Sequence, residues 1–316
     1  MKIVSLLPSA TEIVCALGLE ENLVGITHEC DFPAHITARP ALTASRISHE
    51  TMSSKDIDHA VRSQLDGHGS IYDLDTNQLE ELKPDLIITQ ELCDVCAVNY
   101  KTVSKAAKIY AAGAKVVSLE PNTIDDILEN IKTVGDLTNT RQKAENVVTG
   151  LQNRIDTLRE KTANIAKRPN VFMLEWLEPP FAPGHWVPEQ VEIAGGFPIL
   201  GKPGERSVTT TFEAIRESNP DVMVLIPCGY YTDDILRQLE NTVFPLNWKD
   251  ITAVKAGAVW ALDATSYFSR PAPRVVDGAE ILAKILHQAI FGGPGKHEAV
   301  RVPDGLMKFQ NSAGSA

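Results

Sequence analysis

Apolar residues in the first 120 positions fall into short runs separated by segments of helical period. "KIVSLL" (2–7) is such a run, and in "SATEIVCALGL" (9–19) the apolar positions recur every three to four residues. A strand followed by an amphipathic helix is the expectation. Ser9, with Glu12 three positions on, has the spacing of a capping box. "NLVGIT" (22–27), "DLIIT" (85–89) and "KVVSLE" (115–120) read as further strands. "SSKDIDHAVRSQL" (53–65), "TNQLEEL" (76–82) and "YKTVSKAAKIYAAG" (100–113) read as helices. Strands alternating with helices over short connections predict a parallel sheet covered by helices.

The pattern changes between 123 and 167, where no strand signal occurs. "TIDDILENIKTVGDL" is one helix with acids in its first turn. "RQKAENVVTGLQNRIDTLREKTANIAK" (141–167) is another, interrupted only by Gly150. At 1.5 Å per residue such a helix spans ~40 Å and acts as a stiff strut. Alternation then resumes. Strands are expected at "VFMLEW" (171–176), "DVMVLIP" (221–227) and "AVWALD" (258–263). Helices are expected at "VPEQVEIAGG" (187–196), "TTFEAIRESNP" (210–220), "TDDILRQLEN" (232–241) and "PRVVDGAEILAKILHQAI" (273–290). The resulting division is an α/β lobe over 1–122, a helical segment over 123–167, a second α/β lobe over 168–291, and an extended or disordered tail over 292–316. The fold class is α/β: two Rossmann-like lobes with mainly parallel sheets, joined by one long rigid helix, with a cleft between them.

Composition narrows the function. The 316 residues are 43% hydrophobic and 22% charged, with a net charge of −11. That balance is ordinary for a globular chain and argues against nucleic acid, which selects basic faces. No apolar run approaches the ~18 residues of a membrane span, so the chain is not expected to be membrane-embedded. Pro8 and Glu12 interrupt the N-terminal apolar stretch, which therefore reads as strand, loop and helix and not as an export signal. Five cysteines rule out a complete set of intrachain disulfides. A cytoplasmic location is expected for the chain as it stands, and a periplasmic or extracytoplasmic one if a leader has been removed.

Chemistry-bearing residues cluster where strands end. "PSATE", "THECD", "TQELCDVC" and "EPN" follow first-lobe strands. "EWLEPPFAPGHW", "PCGYY" and "DATSYFSRPAPR" follow second-lobe strands. In open α/β sheets, crevices at strand C-terminal ends hold ligands. Trp176, His185 and Trp186 flank a Pro/Gly-rich loop, a placement suited to a pocket wall. Arg270 suits carboxamides or carboxylates, whereas Arg274, nearer the helix, suits a structural role. Cys15 lies on an apolar helix face and belongs to the core.

Cys93 and Cys96 form a C-x₂-C half-site that Cys30 with His28, His185 or Cys228 would complete, giving a zinc, copper or iron–sulfur reading as the alternative function. A helix expected to begin near Val98 or Asn99 would lower the thiol pKa of Cys96. No nucleophile-elbow or comparable motif accompanies the Cys and His residues, so no enzymatic activity and no catalytic residue are expected. The other histidines are scattered on polar stretches, and none is singled out.

"SLLPSATEIVCALGL", "VGITHECDFP", "LKPDLIIT", the strut helix, "PPFAPG" and "YFSRPAPR" occur in an order that resembles the helical-backbone (class III) periplasmic-binding-protein-like family. More narrowly, they resemble its cobalamin-binding solute receptors of ABC importers, from about residue 2 to 290. The resemblance implies a non-catalytic receptor holding cobalamin or a related metal-containing macrocycle in the cleft, with an ABC transporter permease as partner. A cytoplasmic carrier or sensor is the variant for an unexported chain. Those receptors cradle the corrin with aromatic side chains. Phe181 keeps one such position, while Glu29, Gln90 and Arg46 stand where the receptors place Tyr or Trp. Trp176, Trp186, Tyr230, Tyr267 and Phe268 would rebuild the cradle from the second lobe. Pro8, Ser9, His28, Glu29, Cys30, Gln90, Cys93, Cys96, Phe181, His185, Cys228 and Arg270 complete the expected ligand set.

Overall fold

The computed structural model describes residues 1–45, 51–66, 72–90 and 100–310. Expectations for Arg46, Cys93 and Cys96, and for the helix start near Val98 or Asn99, lie outside the described residues.

The first lobe runs β1 (Ile3–Ser5), α1 (Pro8–Ala16), β2 (Leu23–Gly25), β3 (Thr43–Ser45), α2 (Ser54–Asp66), β4 (Tyr72–Leu74), α3 (Thr76–Leu82), β5 (Leu86–Thr89), α4 (Tyr100–Tyr110) and β6 (Lys115–Ser118). Its sheet is parallel, in the order β2-β1-β5-β6. On the central strand β5, Leu86 and Ile88 face one apolar cluster and Ile87 another. Burial on both sides explains its unbroken apolar run. β3 and β4 pair antiparallel, a small ribbon that the polar stretch 43–74 did not announce.

Ser9 does not cap α1. Pro8 takes the first helical turn and Leu7 is the extended N-cap, with no side-chain cap. Ser9 is already inside the helix and buried, and Glu12 is drawn to the opposite lobe.

α5 (Ile124–Leu137) starts at a Thr123/Asp126 capping box and turns back into α6 (Arg141–Thr162). The 22 residues of α6 span ~33 Å, shorter than the sequence pattern implied. Thr162 donates its hydroxyl back to Leu158 O at 2.9 Å, and the chain leaves the helix there instead of at Lys167. One apolar cluster continues from Ile3, Leu7 and Ile13 of the first lobe through Leu151, Ile155 and Leu158 of α6 to Val191, Ile281 and Leu282 of the second. Arg154 of the strut pairs with Asp277 and Glu280.

The second lobe runs β7 (Asn170–Leu174), β8 (Phe181–Ala182), α7 (Val187–Ile193), β9 (Phe197–Pro198), β10 (Val208–Thr209), α8 (Phe212–Ser218), β11 (Val222–Leu225), α9 (Thr232–Leu239), β12 (Val243–Pro245), α10 (Thr252–Lys255), β13 (Val259–Ala261), α11 (Ala264–Tyr267), α12 (Val275–Leu286), α13 (Gln288–Phe291), β14 (Val300–Arg301) and β15 (Lys308–Gln310). Its sheet order is β14-β13-β11-β7-β9, parallel except at β14. Asn219 ends α8 in the left-handed conformation. The closing helix breaks at His287 into α12 and α13. Phe244 stacks on Trp248 with ring centroids 4.9 Å apart, at the heart of a second core.

Residues 292–310 are not the extended or disordered tail that the sequence suggested. β14 closes the edge of the sheet, β15 pairs with β12, and Val302 and Met307 are buried in the second core. Strands of two or three residues carry no readable period, so the pattern gave no notice of them.

Candidate functional site

The loops that follow the strands of both lobes meet across the cleft. Glu12 is 3% exposed, and it leaves α1 to accept a forked pair of hydrogen bonds from Arg274. The Nε–Oε2 distance is 2.9 Å and the Nη2–Oε1 distance 2.6 Å. Such two-pronged bonds match the guanidinium plane to the carboxylate plane. Arg270 is also buried; it pairs with Asp31, lies 3.6 Å from Glu12 Oε1, and donates to Glu29 O at 2.8 Å. Tyr231 donates its hydroxyl to the other oxygen of Asp31. Arg274 also lies over the ring of Phe32, 4.2 Å from its centroid, a cation–π contact. One network of Glu12, Asp31, Arg270, Arg274 and Tyr231 therefore ties the lobes together.

The network sets its own charges. Burial pushes the Asp31 carboxyl up, but the Arg270 guanidinium outweighs it and holds the group below the ordinary carboxylate range. Burial raises Glu12 despite Arg274 and Arg270. Burial, and then Asp31, raise the Tyr231 phenol.

The expected site residues separate into three groups. Several line the facing loops. His28 and Glu29 are exposed; His28 Nδ1 lies 2.7 Å from Thr43 Oγ1, and its Nε2 lies 3.5 Å from Glu29 Oε1. Tyr72 faces His28 with a centroid separation of 5.6 Å. Trp176 packs edge-on against Tyr230 at 5.4 Å and reaches the first lobe, donating Nε1–H to Ser54 O at 3.2 Å. Phe181 bridges back to Trp176 and is half-buried, and Cys228 is exposed.

A second group holds the loops together from below. Trp186 and Phe268 are core residues, and Trp186 Nε1–H donates to Phe268 O at 2.8 Å. Tyr230 is 1% exposed. Tyr267 offers its carbonyl to Gln190 at 2.9 Å. Ser9 and Gln90 are buried as well, and Pro8 is half-buried.

The third group is the thiol set. Cys30 is buried with Sγ 3.0 Å from Thr11 Oγ1, and burial pushes its thiol up to about 11. Cys15 is core, as expected, with its thiol pushed up to about 12 by burial. Among the described residues, no three His, Cys, Asp or Glu side chains converge to hold a metal ion.

His185 takes a left-handed backbone (φ 51°), and its Nε2 is sealed from solvent without a partner. Burial, with the Arg206 charge adding to it, lowers its pKa. Next to it, Gly184 N–H and the Ser207 side chain bind the carboxylate of Glu175, whose Oε2 is likewise sealed and unpartnered. Two surface cavities, of about 450 and 330 Å³, flank α6 and do not lie among the cleft loops.

Sequence reasoning missed Asp31, Phe32, Tyr231 and Glu175, and it left Glu12 as a cap. Each stands inside or one position beyond a loop already singled out. Their pairing depends on which loop of one lobe faces which loop of the other, and no local pattern carries that.

The profile of the family described as "Periplasmic binding protein" matches residues 3–265. A vitamin B12-binding protein of Vibrio cholerae is 25% identical over 284 residues, covering 88% of this chain and 86% of that protein. An uncharacterized ABC transporter substrate-binding lipoprotein of Bacillus subtilis is 23% identical over 296 residues, covering 92% of this chain and 81% of that protein. Among solved structures, the periplasmic vitamin B12 binding protein of Vibrio cholerae superposes with a TM-score of 0.64 at 21% identity, covering 91% of this chain and 97% of that one. A periplasmic heme binding protein of Pseudomonas aeruginosa superposes with a TM-score of 0.68 at 19% identity, covering 93% and 94%.

Proposed function

Because the chain belongs to the periplasmic binding protein family, we propose that it is a non-catalytic receptor that captures a cobalamin or related corrinoid between its lobes and hands it to an ABC importer. The observation that carries this reading is a set of exposed and half-buried aromatic side chains contributed by both lobes. Phe32 and Tyr72 come from the first lobe, and Trp176, Phe181 and Tyr231 from the second. Flat macrocycles bury large apolar faces, and aromatic walls with a few polar groups suit them. The likeness to a vitamin B12-binding protein over 88% of this chain supports the same ligand class.

In this reading, Trp176, Phe181, Tyr231 and Phe32 pack the macrocycle and its nucleotide tail. His28 and Glu29 meet its polar edge. Trp186, Tyr230, Tyr267 and Phe268 hold the second-lobe loops in place. The permease docks over the strand-end loops of both lobes, and the receptor works on the face of the membrane from which ligand enters. No described helix is long and apolar enough to cross a membrane.

Spectral titration with cyanocobalamin and hydroxocobalamin tests the proposal. Saturable binding in the micromolar range or tighter is the expected result. The absence of binding by either at micromolar concentration rejects the corrinoid ligand.

A further inference from the structure

The polar network across the cleft presents one chemical face outward. The Arg270 side chain is 7% exposed and that of Asp31 is 35% exposed. Anything entering the cleft therefore meets the carboxylate first, with the guanidinium already committed behind it to Asp31, Glu12 and the Glu29 carbonyl. Arg274 is spent in the same way on Glu12 and Phe32. Among the described residues of this network, neither Arg270 nor Arg274 is left to receive a carboxylate from a ligand. Asp31 stays ionised, because Arg270 holds its pKa low.

We propose that Asp31, backed by Arg270 and Tyr231, is a specificity residue that selects a tetrapyrrole rimmed with carboxamides over one rimmed with carboxylates. A primary carboxamide carries a donor and an acceptor on one carbon. Its N–H₂ can donate to the exposed side of Asp31 while the guanidinium keeps its own partners, so it joins the ion pair without breaking it. A carboxylate offers acceptors only. It would have to lie against Asp31, where like charges in a partly desolvated cleft repel, or displace Asp31 from Arg270. Discrimination of this kind works by penalising the wrong partner. The inference rests on the macrocycle reading above and adds the residue that tells two classes of macrocycle apart.

The test uses three probes: cyanocobalamin, hemin with its two free carboxylates, and hemin dimethyl ester, which removes those charges on the same ring. Affinities are read by tryptophan fluorescence quenching for the wild type, Asp31→Asn and Asp31→Glu, with thermal melts to verify folding. Asp31→Ser substitutes for Asp31→Asn if that variant does not fold. Asp31→Asn should shift the acid-to-ester affinity ratio by about ten-fold or more in favour of the acid, and Asp31→Glu should restore the wild-type ratio. If the wild type binds cyanocobalamin but the ratio is the same in all three proteins, the specificity role is overturned and the corrinoid reading stands. If the wild type binds no cobalamin and Asp31→Asn still gains hemin over its ester, the corrinoid reading fails and the role of Asp31 stands. If no protein binds any probe, both fall.

Discussion

Replacing Glu175 by Gln should change how stability depends on pH. Glu175 follows β7, accepts from Gly184 N–H and the Ser207 side chain, and keeps its other oxygen sealed without a partner. Burial pushes its pKa from an ordinary 4.5 up to about 7. The folded chain therefore holds a proton that the unfolded chain releases. Where the folded state binds more protons, stability falls as pH rises. The loss begins near the unfolded value, about 4.5, and is complete once pH has passed the folded value, about 7. One pKa step is worth about 1.4 kcal/mol. Between about pH 5 and about pH 8 the wild type should thus lose roughly 2–3 kcal/mol relative to Glu175→Gln. Urea unfolding at several pH values, followed by circular dichroism, gives the two profiles. The absolute offset between them also contains the cost of placing an amide N–H₂ where Oε2 has no partner, so the slope is the quantity to compare. Parallel profiles over this range would refute the burial argument for Glu175.

Glu12→Ala removes the shared partner of two arginines and leaves buried guanidinium charge uncompensated, so a loss of about 3–5 kcal/mol is expected in urea denaturation; a loss below about 1 kcal/mol would show that solvent reaches the network. Iodoacetamide should alkylate exposed Cys228 well before Cys15 and Cys30, whose thiols burial holds at about 12 and about 11, and peptide mass mapping that finds Cys15 or Cys30 labelled as fast would contradict their placement. Because α6 shares one apolar cluster with both lobes, hinge bending is resisted, and X-ray scattering curves with and without cyanocobalamin should nearly overlay; a large compaction would overturn the rigid-strut argument.

Much of this molecule was legible along the chain, because periodicity and burial are local consequences of each other. The run "DLIIT" has to be a strand covered on both faces. The uninterrupted helical period after Arg141 has to be a long helix, and the order of these elements selects a two-lobed α/β architecture. The loops that carry chemistry were readable too, since strand ends in such sheets face a crevice. Tertiary structure decided which side chains within those loops meet. Ser9 and Glu12 fit a cap by spacing, yet Pro8 begins the helix and Arg274, 262 positions away, takes the carboxylate. Trp186 and Phe268 looked like pocket wall by composition, but an indole N–H must find an acceptor when buried, and Phe268 O supplied it from beneath the loops. The two-residue strand β14 and the three-residue strand β15 exist only because the edges of β13 and β12 were there to pair with. Asp31 and Arg270 are 239 positions apart. Their charges attract across space and not along the chain, so only the fold that brings the two lobes face to face could make them a pair.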